Sequence, residues 1–135
     1  RPEHIRAARE AAADLLRIRA SSPLLTLGSA ALIREKVSFG NCGPGSVDGV
    51  ILMHIDDAES AVDPKYGRIL VAFNQAPHEQ VVSADLSGAP EGARFTLHPV
   101  QAAGSDEVVK VARVESGAVS IPPRTVAVFV EERPR

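Results

Sequence analysis

The sequence predicts a mainly β protein, an antiparallel β-sandwich of about eight short strands preceded by one N-terminal amphipathic α-helix. Three observations carry that prediction. A helical periodicity runs from Glu3 to Ala20 and stops at Ser22-Pro23, where proline disfavours helical geometry in the residue before it. From residue 36 onward, short β-branched runs alternate with clusters of Gly, Pro, Asn and Asp, the punctuation of turns between strands. Two of those runs, Val50-Ile51-Leu52-Met53 and Val126-Ala127-Val128-Phe129-Val130, are apolar at every position, as strands covered on both faces are.

The helix comes first. Pro2 suits its opening turn, where a missing N–H costs nothing. Ile5, Ala8, Ala12, Leu15 and Leu16 form one stripe, and Glu3, Arg6, Glu10, Asp14 and Arg17 fall opposite. Arg17 and Arg19 complement the macrodipole at the C-terminal end. A stripe so narrow and alanine-rich packs closely against a neighbour and is marginal alone, so these five residues are the candidate inter-domain contact. The chain starts at Arg1, without an initiator Met and already at the helix start, which leads us to expect a piece of a larger polypeptide.

A connector follows over residues 23–35, with a turn and N-cap at Leu27-Gly28-Ser29 and a short helical turn over residues 30–35. Strands are predicted over residues 36–39, 50–55, 69–74, 80–85, 94–100, 108–114, 118–121 and 125–131. Residues 80–85 alternate least cleanly and suit an edge. The predicted sandwich therefore spans residues 36–133. No internal repeat or low-complexity segment is visible.

Composition narrows the functional classes. The chain has 135 residues, 44% apolar and 24% charged, with net charge −2. That balance suits one globular domain. It offers no basic footprint for nucleic acid and no polybasic membrane patch. No apolar run approaches the ~20 residues of a membrane span, and no segment has a signal-peptide shape. The compartment is left open. A single cysteine, Cys42, permits no internal disulfide.

The chemistry-bearing residues point to no catalyst. His4, His54, His78 and His98 show no metal-ligand spacing, and a zinc site needs three or four converging ligands. Cys42 lies in a Gly-rich loop without an evident base. The loop over residues 40–49 lacks the phosphate-binding pattern. No G-x-S-x-G elbow occurs. Asp56, Asp57, Glu59 and Asp63 form the densest acidic cluster; calcium would accept such oxygens, but the spacing is not that of an EF-hand. A solvated loop is the favoured reading. No cofactor and no metal are expected. Among the aromatics, Phe39, Phe73, Phe95 and Phe129 fall in predicted strands and are expected in the core. Tyr66 is left as the one exposed ring for a weak glycan contact.

The order of motifs along nearly the whole chain is specific. It runs Leu16-Arg17-Ile18-Arg19-Ala20-Ser21-Ser22-Pro23-Leu24-Leu25, then Val37-Ser38-Phe39-Gly40-Asn41-Cys42-Gly43-Pro44, then Gly49-Val50-Ile51-Leu52-Met53-His54-Ile55-Asp56-Asp57. Asp63-Pro64-Lys65-Tyr66, Ile69–Asn74, Leu97-His98-Pro99-Val100-Gln101 and Ile121-Pro122-Pro123-Arg124-Thr125 complete it. This series resembles the C-terminal region of pullulanase-type α-1,6-glucosidases, debranching members of the α-amylase superfamily of glycoside hydrolases. One departure is the loop at residues 58–62, shorter than relatives can have.

The resemblance implies that residues 1–22 are the terminal helix of a missing catalytic barrel and that residues 36–133 are the C-terminal β-sandwich. The parent would act in starch or glycogen metabolism, cleaving α-1,6-glucosidic branch links in pullulan, limit dextrin or glycogen. Family members carry their catalytic carboxylates on barrel strands, which would precede Arg1, so no catalytic residue is assigned in this chain. The partner implied is the catalytic barrel of the same polypeptide, with α-glucan reached through it. The role expected is packing on that barrel and stabilising it. Alternatives are a weak carbohydrate-binding module and a freestanding protein-interaction domain whose helical stripe would pair two copies.

Overall fold

A computed structural model describes residues 1–59 and 61–134. Helix α1 spans Pro2–Ser21, followed by a single 3-10 turn at Pro23–Leu25 and helix α2 at Ala30–Lys36. Ser22 is extended, as the residue before proline must be, and its hydroxyl accepts from Leu24 N–H to cap the 3-10 turn. Ser29 caps α2 in the same way, accepting from Leu32 N–H.

The strands are β1 Val37–Gly40, β2 Val50–Asp56, β3 Tyr66–Asn74, β4 Gln80–Ser83, β5 Thr96–Leu97, β6 Arg113–Glu115, β7 Ala118–Ile121 and β8 Thr125–Glu132. They form two antiparallel sheets, ordered β1-β2-β3-β8-β5 and β4-β7-β6. The mainly β sandwich behind an N-terminal helix is the expected architecture. The apolar runs at Val50 and Val126 lie in the five-stranded sheet, where β2, β3 and β8 are flanked on both sides.

Several element bounds differ from expectation, each for a local reason. Lys36 is the last residue of α2 and not the first of β1. The edge strand β4 stops at Ser83, whose hydroxyl accepts from Asp85 N–H and turns the chain into a 3-10 segment at Ala84–Ser87. The run at residues 94–100 is a strand only at Thr96–Leu97. His98 then accepts from Val100 N–H through its ring, Pro99 fills the first turn, and helix α3 forms at Pro99–Ala103. The run at residues 108–114 is a 3-10 turn at Val109–Val111 followed by β6; Asp106 starts it by accepting from Val108 and Val109 N–H.

Two apolar clusters hold the fold. Between the sheets lie Val50, Leu52, Leu70, Ala72, Val82, Phe95, Val119, Ile121, Ala127 and Phe129. On the outer face of the larger sheet, Ile55, Ile69, Val71, Val128 and Val130 are covered by Ile18, Leu24 and Tyr66. Burying side chains the size of Ile18 and Leu24 stabilises by roughly 1.5–3 kcal/mol each, and this is what seats the end of α1 on the sheet. Of the four phenylalanines expected inside, Phe95 and Phe129 are buried and Phe73 half-buried, but Phe39 is 61% exposed. Phe39 sits on edge strand β1, beyond the reach of the helix that covers the same sheet face further along.

Candidate inter-domain surface and buried ion-pair cluster

The outer face of the larger sheet is apolar across β1, β2, β3 and β8. The register places Phe39 opposite Met53 and Met53 opposite Val71, while Ile51 faces Phe73 and Phe73 faces Val126. The α1 end and the connector cover one end of this face. At the other, Phe39 and Ile51 are exposed and Met53, Phe73 and Val126 half-covered.

The predicted helical stripe adds to that surface. Ile5, Ala8, Ala12, Leu15 and Leu16 are all exposed, with Leu16 at 64%. None of them is the residue that docks α1 within this chain; Ile18 is. The side of α1 expected to face water makes the other contacts. Ser105 Oγ donates to Glu10 Oε2 at 2.8 Å. The Asp14 carboxylate lies so close to Gly104 that a Cβ there would meet Oδ2 at 2.6 Å. The apolar stripe is left exposed, and the short polar segment after α3 contacts the opposite side of the helix.

A second seam joins α1 to α3. The Nε2 of His98 is 3.0 Å from Ser21 Oγ. This pair has the distance of a nucleophile and its base, but the surrounding bonds assign other roles. His98 Nδ1 accepts from Val100 N–H at 3.1 Å, so the ring proton belongs on Nε2 and is donated to Ser21. Ser21 Oγ in turn donates to Ile18 carbonyl oxygen at 2.6 Å. A base must accept the nucleophile's proton, and this imidazole already carries one. Burial, and secondarily Lys65, hold the His98 pKa below its ordinary 6.5, which keeps the ring neutral.

The acidic loop is not solvated as expected. Asp57 is fully buried, and its carboxylate accepts from Lys36 Nζ at 2.8 Å, Arg133 NH2 at 2.7 Å and Asp63 N–H at 2.9 Å. Asp63 is buried too; it accepts from Ser22 Oγ and from Lys65 N–H. Arg133 also donates to the carbonyl oxygens of Asp63 and Asp57, each at 2.8 Å. Asp56 pairs loosely with Arg68 at 3.7 Å and caps its own turn through Ala58 N–H. Glu59 is exposed. These carboxylates are directed at cations and N–H groups. Among the described residues no three His, Cys, Asp or Glu side chains converge in a metal-binding group. Ser60, within the loop noted as short, lies outside the described residues.

The remaining candidates are placed as follows. Tyr66 is 2% exposed, not the open ring expected. Strand β3 begins three residues earlier than predicted, and a register irregularity between Tyr66 and Arg68 turns the tyrosine under the α1 end, 6.0 Å from the His98 ring. Cys42 is exposed, and its thiol lies against the backbone oxygens of Phe39 and Gly40. The Gly-rich loop before β2 is pinned by Asn41, whose amide donates to Val47 and Val50 oxygens and accepts from Val47 N–H. His54 is buried between the sheets, edge-on to Phe95, and burial lowers its pKa from 6.5. His4 and His78 are exposed. Ser22, Lys36 and Arg133 were not singled out from the sequence, and a lone Ser, Lys or Arg at an element end carries no signal of a distant carboxylate.

Fold and surface together define a β-sandwich module with a large apolar face and a helix left partly uncovered, and no assembled catalytic group among the described residues. Comparison with known proteins gives the family. The family described as "Alpha-1,6-glucosidases, pullulanase-type, C-terminal" matches residues 1–132, and the chain belongs to it. The chain is 44% identical over 128 residues to pullulanase 1, chloroplastic, of Arabidopsis thaliana, covering 89% of this chain and 13% of that protein. It is 29% identical over 121 residues to a pullulanase of Klebsiella pneumoniae, covering 86% and 11%. The crystal structure of Klebsiella pneumoniae pullulanase complexed with maltotriose superposes with a TM-score of 0.77 at 31% identity, over 90% of this chain and 12% of that one. The chain thus spans only a small part of the length of each relative.

Proposed function

We propose that this chain is the non-catalytic C-terminal sandwich of a pullulanase-type enzyme that hydrolyses α-1,6-glucosidic branch links in pullulan, limit dextrin or glycogen. Its role is to pack on the catalytic barrel of the same polypeptide and stabilise it. Residues 1–22 belong on this reading to the barrel as its terminal helix, residues 23–35 connect, and residues 36–133 form the sandwich. The observation that carries the reading is the apolar row in which Phe39 and Ile51 are exposed and Met53, Phe73 and Val126 half-covered, beside the exposed stripe of α1. Clustered exposed apolar residues suit a contact surface, and the family and the much longer relatives favour a partner within the same polypeptide.

The glycan-binding alternative loses its ring, since Tyr66 is buried. Pairing of two copies through the helical stripe remains a competing occupant of that surface. The decisive experiment places Phe39→Glu and Ile51→Lys in the longer polypeptide and follows debranching of pullulan together with thermal inactivation. Inactivation at a lower temperature supports packing on the barrel; an unchanged inactivation curve overturns it. Hydrolysis of pullulan by the isolated 135-residue chain at an enzyme-like rate would overturn the non-catalytic role. Light scattering that finds a dimer only when residues 1–22 are present would assign the stripe to self-association.

A further inference from the structure

We propose that Ser22, Lys36, Asp57, Asp63 and Arg133 form an orientation lock that holds α1 and its connector at one fixed angle to the sandwich. The geometry is that of a staple. The connector between α1 and β1 is gripped at both its ends by a single loop, the one joining β2 to β3. At the near end, Ser22 Oγ donates to Asp63. At the far end, Lys36 Nζ meets Asp57 at 2.8 Å. Arg133, just past β8, ties the two gripping residues to each other, donating to the Asp57 carboxylate, the Asp57 carbonyl and the Asp63 carbonyl. Its own backbone N–H is held by Lys65 oxygen at 2.9 Å.

Apolar contact alone would not fix the angle. Ile18 and Leu24 keep the helix end on the sheet, with the part-buried Ser21–His98 and exposed Glu10–Ser105 contacts beside them, but hydrophobic burial is non-directional and tolerates rotation about the contact. Charge-assisted hydrogen bonds are short and directional. Inside the protein, a charge that loses its partner is strongly disfavoured. A shift of the connector would part Lys36 from Asp57 and Ser22 from Asp63 together, while Arg133 keeps the two carboxylate-bearing residues in place. What the lock orients in the longer polypeptide, namely the barrel relative to the sandwich, rests on the reading proposed above. The lock itself is a property of this chain and is tested on it.

The test measures the angle directly. Spin labels are attached at the exposed Cys42 and at Arg6→Cys, on the exposed face of α1, and the distance distribution between them is recorded by pulsed electron resonance in the 135-residue chain. A narrow distribution is expected. Arg133→Gln should broaden it by roughly twofold or more as further orientations become populated, while Arg113→Gln, which removes the exposed pair with Glu115 and a bond to the Val111 carbonyl, both away from the connector, leaves it narrow. A distribution in Arg133→Gln as narrow as in the parent chain overturns the lock. If circular dichroism shows Arg133→Gln unfolded, Arg133→Lys and Ser22→Ala are read in its place: broadening supports the lock and an unchanged width rejects it. Neither outcome bears on pullulan hydrolysis, so the lock and the proposed function stand or fall separately.

Discussion

Lys36 Nζ lies 2.8 Å from Asp57 Oδ1, and both side chains are withdrawn from water, 3% and 0% exposed. A helix end and a loop following a strand are thereby joined by charges that neither could bury alone. Arg133 supplies the second cation at 2.7 Å, so the carboxylate has a partner on each oxygen.

Removing that carboxylate tests the arrangement. Asp57→Ala removes the buried carboxylate that accepts from both Lys36 and Arg133, and breaking a buried pair in this way costs about 3–5 kcal/mol. Asp56→Ala, which loses a 3.7 Å contact to Arg68 and the bond from Ala58 N–H on a partly exposed carboxylate, should cost less, about 1 kcal/mol. Urea unfolding of the two variants checks this; equal losses would refute the distinction.

Acid should weaken the fold through two histidines. Burial lowers the pKa of both His98 and His54 from 6.5, with Lys65 adding to the effect at His98. The native state therefore keeps the rings neutral where the unfolded chain would protonate them. Stability is full above pH 6.5 and declines as pH falls below it, levelling off once the folded-state values are passed. Urea midpoints compared at about pH 7.5 and about pH 5.5 should show the lower value in acid, and less of a difference in His98→Gln. A midpoint that rises on acidification would contradict the sign.

Gly40 has no room for a methyl group. A Cβ there would lie 1.9 Å from the Leu86 carbonyl oxygen, where Asn41 N–H also bonds to Leu86 at 2.7 Å. Gly40→Ala must push strand β1 away from the 3-10 segment, with a loss of at least the ~1–3 kcal/mol of overpacking. Gly43→Ala meets nothing within 4 Å, although its φ of 79° strains it; its cost should be the smaller of the two. Thermal melting ranks them, and the reverse order would refute the close approach.

Charges on the exposed face should separate folding from docking. Leu15, in the helical stripe, is exposed in this chain. In the isolated chain the effect of Leu15→Asp should fall near the ±0.5 kcal/mol of surface substitutions. In the longer polypeptide, where we propose the stripe is covered, the loss should reach ~1–3 kcal/mol. Paired melting curves read both values, and an equal shift in the two contexts would remove the stripe from the contact.

Particular residues show what could be read in advance and what could not. Pro23 ended α1, Ser29 capped α2, and the apolar runs at Val50 and Val126 marked central strands, because each acts through its immediate neighbours. The run at residues 94–100 misled because His98 can hydrogen-bond backbone in a way no apolar pattern encodes. Tyr66 and Phe39 exchanged their expected places. Which ring is covered depends on where α1 lies across the sheet, and that is a relation between residues far apart in sequence.

The sequence by itself determined the β-sandwich class, the leading helix and the resemblance that named the family, since periodicity, turn chemistry and motif order are local and ordered along the chain. Only the tertiary structure decided that the acidic loop holds a buried ion-pair cluster, that the apolar stripe of α1 is left exposed, and that the sheet's outer face is left partly open. Those outcomes follow from long-range juxtaposition: Asp57 finds Arg133 across 76 residues and Asp63 finds Ser22 across 41. Pairing at such separations arises when the sheets close, and no spacing in the sequence records it.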